Sequence, residues 1–309
     1  MKHLETFLKL IIIGMITTFM RLLFQGIVPP QEMELLWPSI FADEGLINLA
    51  FMVFGSVFYT LLATLYLLAF KRLEGGHLSR SLKYVALIIA IWSIYILEPM
   101  PHRAGIVKLW YILADGGALL IMGLLLGVLI GSEEGKFKSV DKYIVMNKYH
   151  TMKILAEEEI EEADKKGRRV NFSILNVFII GLIFFIGRVI LHEYIGVYSS
   201  YGDEPIKVMV WALIGGGVIG SVYELILPYI WPSRYEFKFL SFSILFFGLI
   251  LVVFHGFIPI IYRFSIKDLI LRVLIDVGAV SLGGAICLGF DYKKLISKKE
   301  DYILKDRSL

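Results

Sequence analysis

The stretch "LWYILADGGALLIMGLLLGVLI", residues 109–130, is apolar over the length of a bilayer span and yet carries Asp115 near one end. About 20 apolar residues in a row match a hydrocarbon core of ~30 Å. A carboxylate placed inside such a run is costly unless it faces the protein interior and finds a partner. A second run repeats the arrangement, because "LIDVGA" at 274–279 sets Asp276 in the frame that "LADGGA" at 113–118 gives Asp115. One reading must account for both aspartates.

The rest of the chain is built from similar runs. Its 309 residues are 57% hydrophobic and only 19% charged, too little charge to clothe a soluble globule, for which about a quarter is usual. The mean hydropathy is +0.73. Eight apolar segments follow, roughly 6–28, 45–70, 82–98, 108–131, 171–194, 206–230, 238–262 and 267–290. Lipid offers no partner to backbone N–H and C=O groups, so these segments are expected to be helices. The first is read as a retained span, since it runs past signal-peptide length to Pro29-Pro30 with no small-residue cleavage site. Cys287 is the only cysteine, which excludes an intramolecular disulfide and a cysteine-based metal centre. The scarcity of Asn and Gln suggests a thermophilic source.

The basic residues set an orientation. If the chain crosses eight times, 23 of its 31 Lys and Arg fall on the side of the two termini and five (Arg103, Lys108, Lys207, Arg263, Lys267) on the other. Arg21, Arg188 and Arg272 lie within spans. The positive-inside rule then makes both termini cytoplasmic, in a protein integral to the cytoplasmic membrane. The net charge of +3 reflects this topology and does not point to nucleic acid, because the basic residues flank spans instead of gathering with aromatics on a soluble module.

The two aspartates are explained by a duplication. At one constant offset, Leu8, Ile12, Ile13, Gly14 and Arg21 match Leu175, Ile179, Ile180, Gly181 and Arg188. "GSVFYTLL" at 55–62 matches "GSVYELIL" at 220–227, which sets Tyr59 against Glu224. Pro99 and Arg103 match Pro259 and Arg263, setting Tyr95 against His255. Asp115, Gly117, Ala118 and Gly123 match Asp276, Gly278, Ala279 and Gly284. A unit of four helices, an even number, returns the chain to its starting side, so a direct fusion keeps both copies in one orientation. The expected fold is an all-α polytopic membrane protein whose eight transmembrane helices form two tandem parallel four-helix repeats. Residues 1–131 form the first repeat, 132–170 a charged, helical cytoplasmic linker, 171–290 the second repeat and 291–309 a basic tail. The linker, with "AEEEIEEADKKGRR" at 156–169, reads as a solvated tether or as a docking site for a protein partner.

Counting 1.5 Å per residue along each span puts Arg21, Arg188, Tyr95, His255, Asp115 and Asp276 in one layer in the outer half of the bilayer. Arg21 is expected to pair with Asp115, and Arg188 with Asp276. The second unit carries further ionisable groups, His192, Glu193, Glu224, His255 and Arg272, where the first has Gln25, Gly26, Tyr59, Tyr95 and Tyr111. A structural clamp needs no such change, whereas a substrate or proton path does. Arg188, Glu224, His255, Arg272 and Asp276 are therefore the candidate path residues, expected to open onto one cavity, with His255 as a proton relay. Tyr59, Tyr95 and Tyr111 are expected to line a drier counterpart. His192, Glu193 and His255 lack the spacing of a metal site, two facing histidines for haem are missing, and no nucleotide-binding or hydrolase motif occurs, so no metal and no cofactor is expected. The glycines of "IGGGVIGS" at 214–221 read as helix-packing contacts. The sequence favours a small secondary transporter or channel-like permease. A non-catalytic membrane scaffold or partner subunit is the alternative, and a membrane-embedded enzyme acting on a lipid-linked substrate, with Glu224, His255 or Asp276 as acid or base, comes third.

Overall fold

The computed structural model describes residues 2–27, 38–69, 73–99, 107–131, 173–197, 205–230, 235–263 and 265–306. The 132–170 linker, Pro29, Pro30 and Arg103 lie outside them. Among the described residues eight helices are long and apolar enough to cross a membrane: α1 (Leu4–Ile27), α2 (Ile47–Leu67), α3 (His77–Ile96), α4 (Leu109–Ile130), α5 (Ile174–Tyr194), α6 (Pro205–Tyr229), α7 (Phe237–Ile261) and α8 (Ile266–Phe290). The helix of α8 runs on to Asp306. The only extended pairing among the described residues is one isolated bridge between Pro38 and Tyr262. The chain is an all-helical integral membrane protein.

The outer surface is apolar because lipid, not water, surrounds it. On α1 the exposed side chains Leu8, Ile12, Met15, Phe19 and Leu23 recur every three to four residues and form one stripe, while Leu10, Ile13, Thr17, Thr18 and Arg21 are buried on the opposite side. The polar groups thus face inward, inverting the usual surface of a soluble helix. Thr17 and Thr18 return their hydroxyl protons to the carbonyls of Ile13 and Gly14, at 2.7 and 2.8 Å, so neither is left unsatisfied.

Within residues 4–130, α1 packs on α2 and α4, and α3 packs on α4. Within residues 174–290, α5 packs on α6 and α8, and α7 packs on α8. The two groups meet where α3 lies on α6 and where α7 lies on α2 and α3. Tyr95, Trp92 and Phe254 form the centre of this junction, with ring centroids 5.6 Å apart for Tyr95–Phe254 and 5.1 Å for Trp92–Phe254. At one end of the bundle Ser39 bridges the groups again. Its backbone N–H donates to the Ile261 carbonyl at 3.1 Å and its hydroxyl to that of Ile260 at 2.5 Å.

Glycine sets the closest helix approaches. A Cβ on Gly216 would lie 2.7 Å from both the Cα and the carbonyl oxygen of Gly181, whereas one on Gly217 would meet nothing within 4 Å. Gly216→Val should therefore destabilise the protein by about 1–3 kcal/mol through overpacking of α5 against α6. Gly217→Val should leave it unchanged. Thermal unfolding of the two variants in detergent checks this, and equal melting points would show that the α5–α6 contact yields more easily than its geometry implies.

Three spans carry π-helical turns, at Leu126–Ile130 in α4, Ile190–Tyr194 in α5 and Ser241–Gly248 in α7. Each inserts an extra residue into the i→i−4 ladder and re-aims the side chains around it, a device common at functional sites. The turn in α5 begins two residues after Arg188.

Candidate functional site

Among the described residues two buried ion-pair centres sit in the bundle, and they are built differently. In the first, Arg21 of α1 makes a two-pronged contact with Asp115 of α4, Nε to Oδ1 and Nη2 to Oδ2, both at 2.8 Å. Gln25, one turn further along α1, donates to Oδ1 at 3.0 Å, and the Trp92 indole N–H of α3 donates to Oδ2 at 2.9 Å. Asp115 thus accepts four hydrogen bonds, about the full capacity of an ionised carboxylate. The Arg21 guanidinium also lies 4.1 Å from the ring centre of Phe257 and 5.2 Å from that of Phe51. Both oxygens of Asp115 are engaged, and the atom of this pair left without a hydrogen-bond partner among the described residues is Arg21 Nη1.

The second centre joins four charged side chains. Arg188 of α5 donates through Nη2 to Asp276 Oδ2 of α8 at 2.6 Å, and through Nη1 to Glu98 Oε1 at 3.0 Å. Arg272, one turn before Asp276 on α8, donates through Nη1 to the same Glu98 oxygen at 2.8 Å. The Tyr95 hydroxyl of α3 donates to Asp276 Oδ2 at 2.7 Å. Two cations and two anions make the group neutral, which a low-dielectric interior requires. Side-chain exposure is 1% for Arg188 and for Asp276, 0% for Arg272 and 4% for Glu98. Aromatic faces complete the wall, with the Arg188 guanidinium 4.8 Å from the ring of Trp211, whose indole N–H is held by the Ile94 carbonyl at 2.7 Å.

This centre is less fully satisfied than the first. Asp276 Oδ1 and Arg188 Nε are buried and have no hydrogen-bond partner among the described residues. Where Asp115 engages its arginine with both oxygens, Asp276 uses one. A buried polar atom left in this way carries a desolvation cost and calls for an explanation.

The arrangement departs from the sequence reading in four respects. Glu98 was not among the candidates, although it anchors two arginines. Tyr95, assigned to a drier counterpart in the first unit, instead donates to Asp276, because α3 crosses to the α5–α8 group. Tyr111 is 39% exposed and lines no buried site. Glu224 stands apart: its carboxylate accepts from Asn176 Nδ2 at 2.9 Å and from the Ser173 backbone N–H at 3.1 Å, at the N-terminal end of α5. Asn176 lies 12 residues before Arg188, about 18 Å along the helix. Arg188, Arg272 and Asp276 come together, and Glu224 does not join them.

The histidines border the cluster, each ring held by a backbone carbonyl. His255 Nδ1 pairs with the Leu251 carbonyl at 2.9 Å, which as an acceptor requires the proton on Nδ1, and its ring stands edge-on to Tyr95 at 5.7 Å. His192 Nδ1 is held in the same way by the Val197 carbonyl at 3.0 Å. Among the described residues no group of three His, Cys, Asp or Glu is placed to hold a metal ion. A cleft of about 210 Å³ opens between α1 and α4, lined by Phe24, Ile27, Trp110, Leu113, Ala114 and Gly117. It is apolar, and none of the candidate path residues lines it. Comparison of the chain with protein families, with curated proteins and with solved structures gives no match.

Proposed function

We propose that the protein is a small secondary transporter, in which the Glu98–Arg188–Arg272–Asp276 centre binds the transported charge and the Arg21–Asp115 centre is its structural counterpart. The observation that carries this reading is the bare Oδ1 of Asp276. A carboxylate oxygen without a donor in a dry bundle is a position held open for a proton, a cation or a donor group of a substrate. Asp115, at the matched position of LADGGA, has no such vacancy. The π-turn after Arg188 adds support, since it supplies a place where α5 can change register.

The same proposal includes two tandem parallel repeats related by an axis along the membrane normal. Its support is that equivalent helices pack in the same pairs in both groups, and that α3 lies on the second group as α7 lies on the first. The matched residues Gly14 and Gly181 both sit at close helix approaches, Gly14 against α2 and Gly181 against α6. The matched residues Tyr95 and His255 touch each other, as residues beside a twofold axis do. The charge asymmetry supports cytoplasmic termini. A cysteine placed at Ser199, between α5 and α6, should then react with an impermeant maleimide from outside intact cells, and labelling only after the membrane is opened would reverse the orientation.

Transport itself is tested by flux. In liposomes carrying the purified protein and a trapped pH dye, an imposed gradient should drive proton-linked flux that Asp276→Asn abolishes. Trapped-dye traces identical to those of empty liposomes, with any small ion or acid supplied, would favour the scaffold reading instead.

A further inference from the structure

We infer that Arg188 and Arg272 form a binding site for the carboxylate of a small monoanion, and that Glu98 fills this site from within the chain in the present state. The inference rests on the transport reading and names its substrate class. Two buried guanidiniums, from α5 and α8, converge on a single oxygen, Glu98 Oε1, at 3.0 and 2.8 Å. Guanidinium groups have the planar donor array that recognises carboxylates, and here both present Nη1 to one point. An isolated pair of cations in a low-dielectric bundle would repel, so the site demands an anion at that point. Glu98 supplies one, and its carboxylate is the template for what can replace it.

Glu98 is also the member of the cluster that can leave. The α3 span ends at Ile96, whereas Asp276 lies well inside a span running Ile266–Phe290. The Glu98 backbone N–H makes a longer closing contact, 3.3 Å to the Tyr95 carbonyl, at the last turn of its helix, and Pro99 follows. A modest rotation there carries the carboxylate toward the helix end and water, while Asp276 stays with Arg188 and Tyr95. Charge balance then sets the valence. With Glu98 withdrawn, Arg188, Arg272 and Asp276 sum to one positive charge, which one monoanion neutralises and a dianion overshoots. Arg188 Nε, which has no described partner, offers the second oxygen of the incoming carboxylate a donor.

The test uses the full chain in detergent, with acetate, chloride and inorganic phosphate as probes and unfolding temperature and Trp fluorescence as readouts. The parent should show a saturable response to acetate that Arg272→Gln lacks. Glu98→Gln, which empties the site of its internal anion, should bind acetate about tenfold or more tightly than the parent and depend on it for stability. Equal responses to acetate and chloride would overturn the carboxylate assignment, and so would no saturable response in either protein. If Glu98→Gln does not fold in any salt, the comparison of parent with Arg272→Gln decides alone, and equal acetate binding by the two overturns the site. Failure of the broader reading is distinguishable: saturable acetate binding without flux would remove transport and leave the anion site standing. Flux that persists in Arg272→Gln would do the reverse.

Discussion

Asp115→Ala is expected to destabilise the protein by about 3–5 kcal/mol, because it leaves the Arg21 guanidinium buried with no counter-charge. Arg21 is 6% exposed and enclosed by Phe51, Trp92 and Phe257, so water cannot take the place of the lost carboxylate. Removing both charges, as in Arg21→Met with Asp115→Leu, should recover most of that loss by eliminating the lone cation. Recovery should be incomplete, since the Trp92 indole N–H, 2.9 Å from Asp115, loses its acceptor at a cost of about 1–3 kcal/mol. Unfolding in mixed detergent micelles measures both variants. A double variant no more stable than the single one would mean that the centre is held by something other than its charge pair.

The second centre should respond as strongly to Asp276→Ala, and for the same reason, since Arg188 and Arg272 would then share Glu98 alone. The loss is again about 3–5 kcal/mol. Here Arg188→Leu with Asp276→Leu should restore most of the stability, short of the acceptor lost by the Tyr95 hydroxyl, while leaving Arg272 paired with Glu98 at 2.8 Å. Flux should not return with stability. The fold and the activity separate at this centre and not at the first, because Asp115 is saturated by four donors and Asp276 keeps an oxygen without one. Flux in this double variant at parental levels would count against a transport role for the centre.

Much of this was legible in the sequence. The eight spans follow from apolar run length, and the pairs Arg21–Asp115 and Arg188–Asp276 follow from the common depth of the four residues in their spans. Glu98 was illegible because it is the last residue of the apolar segment 82–98, next to Pro99, where an acid reads as facing water at the end of a span. Counting charges by depth could have revealed it: three arginines lie within spans against two aspartates at the same level, so a third acid was owed to Arg272. Tyr95 was assigned to the wrong centre because sequence order places α3 with its own unit, and only tertiary packing puts its far end against α8. Residue type grouped Glu224 with the other candidate path residues. It could not reveal that α5 supplies Asn176 and the Ser173 N–H there, a local partnership that removes the need for a shared cavity.

The central claim is that one buried charge centre works and the other only holds, and proteoliposome flux with the two charge-free double variants tests it most directly. Arg21→Met with Asp115→Leu should carry proton-linked flux near the parental rate, and Arg188→Leu with Asp276→Leu, equally well folded, should carry none. Equal flux in both variants, or flux lost from the first and kept by the second, would contradict it.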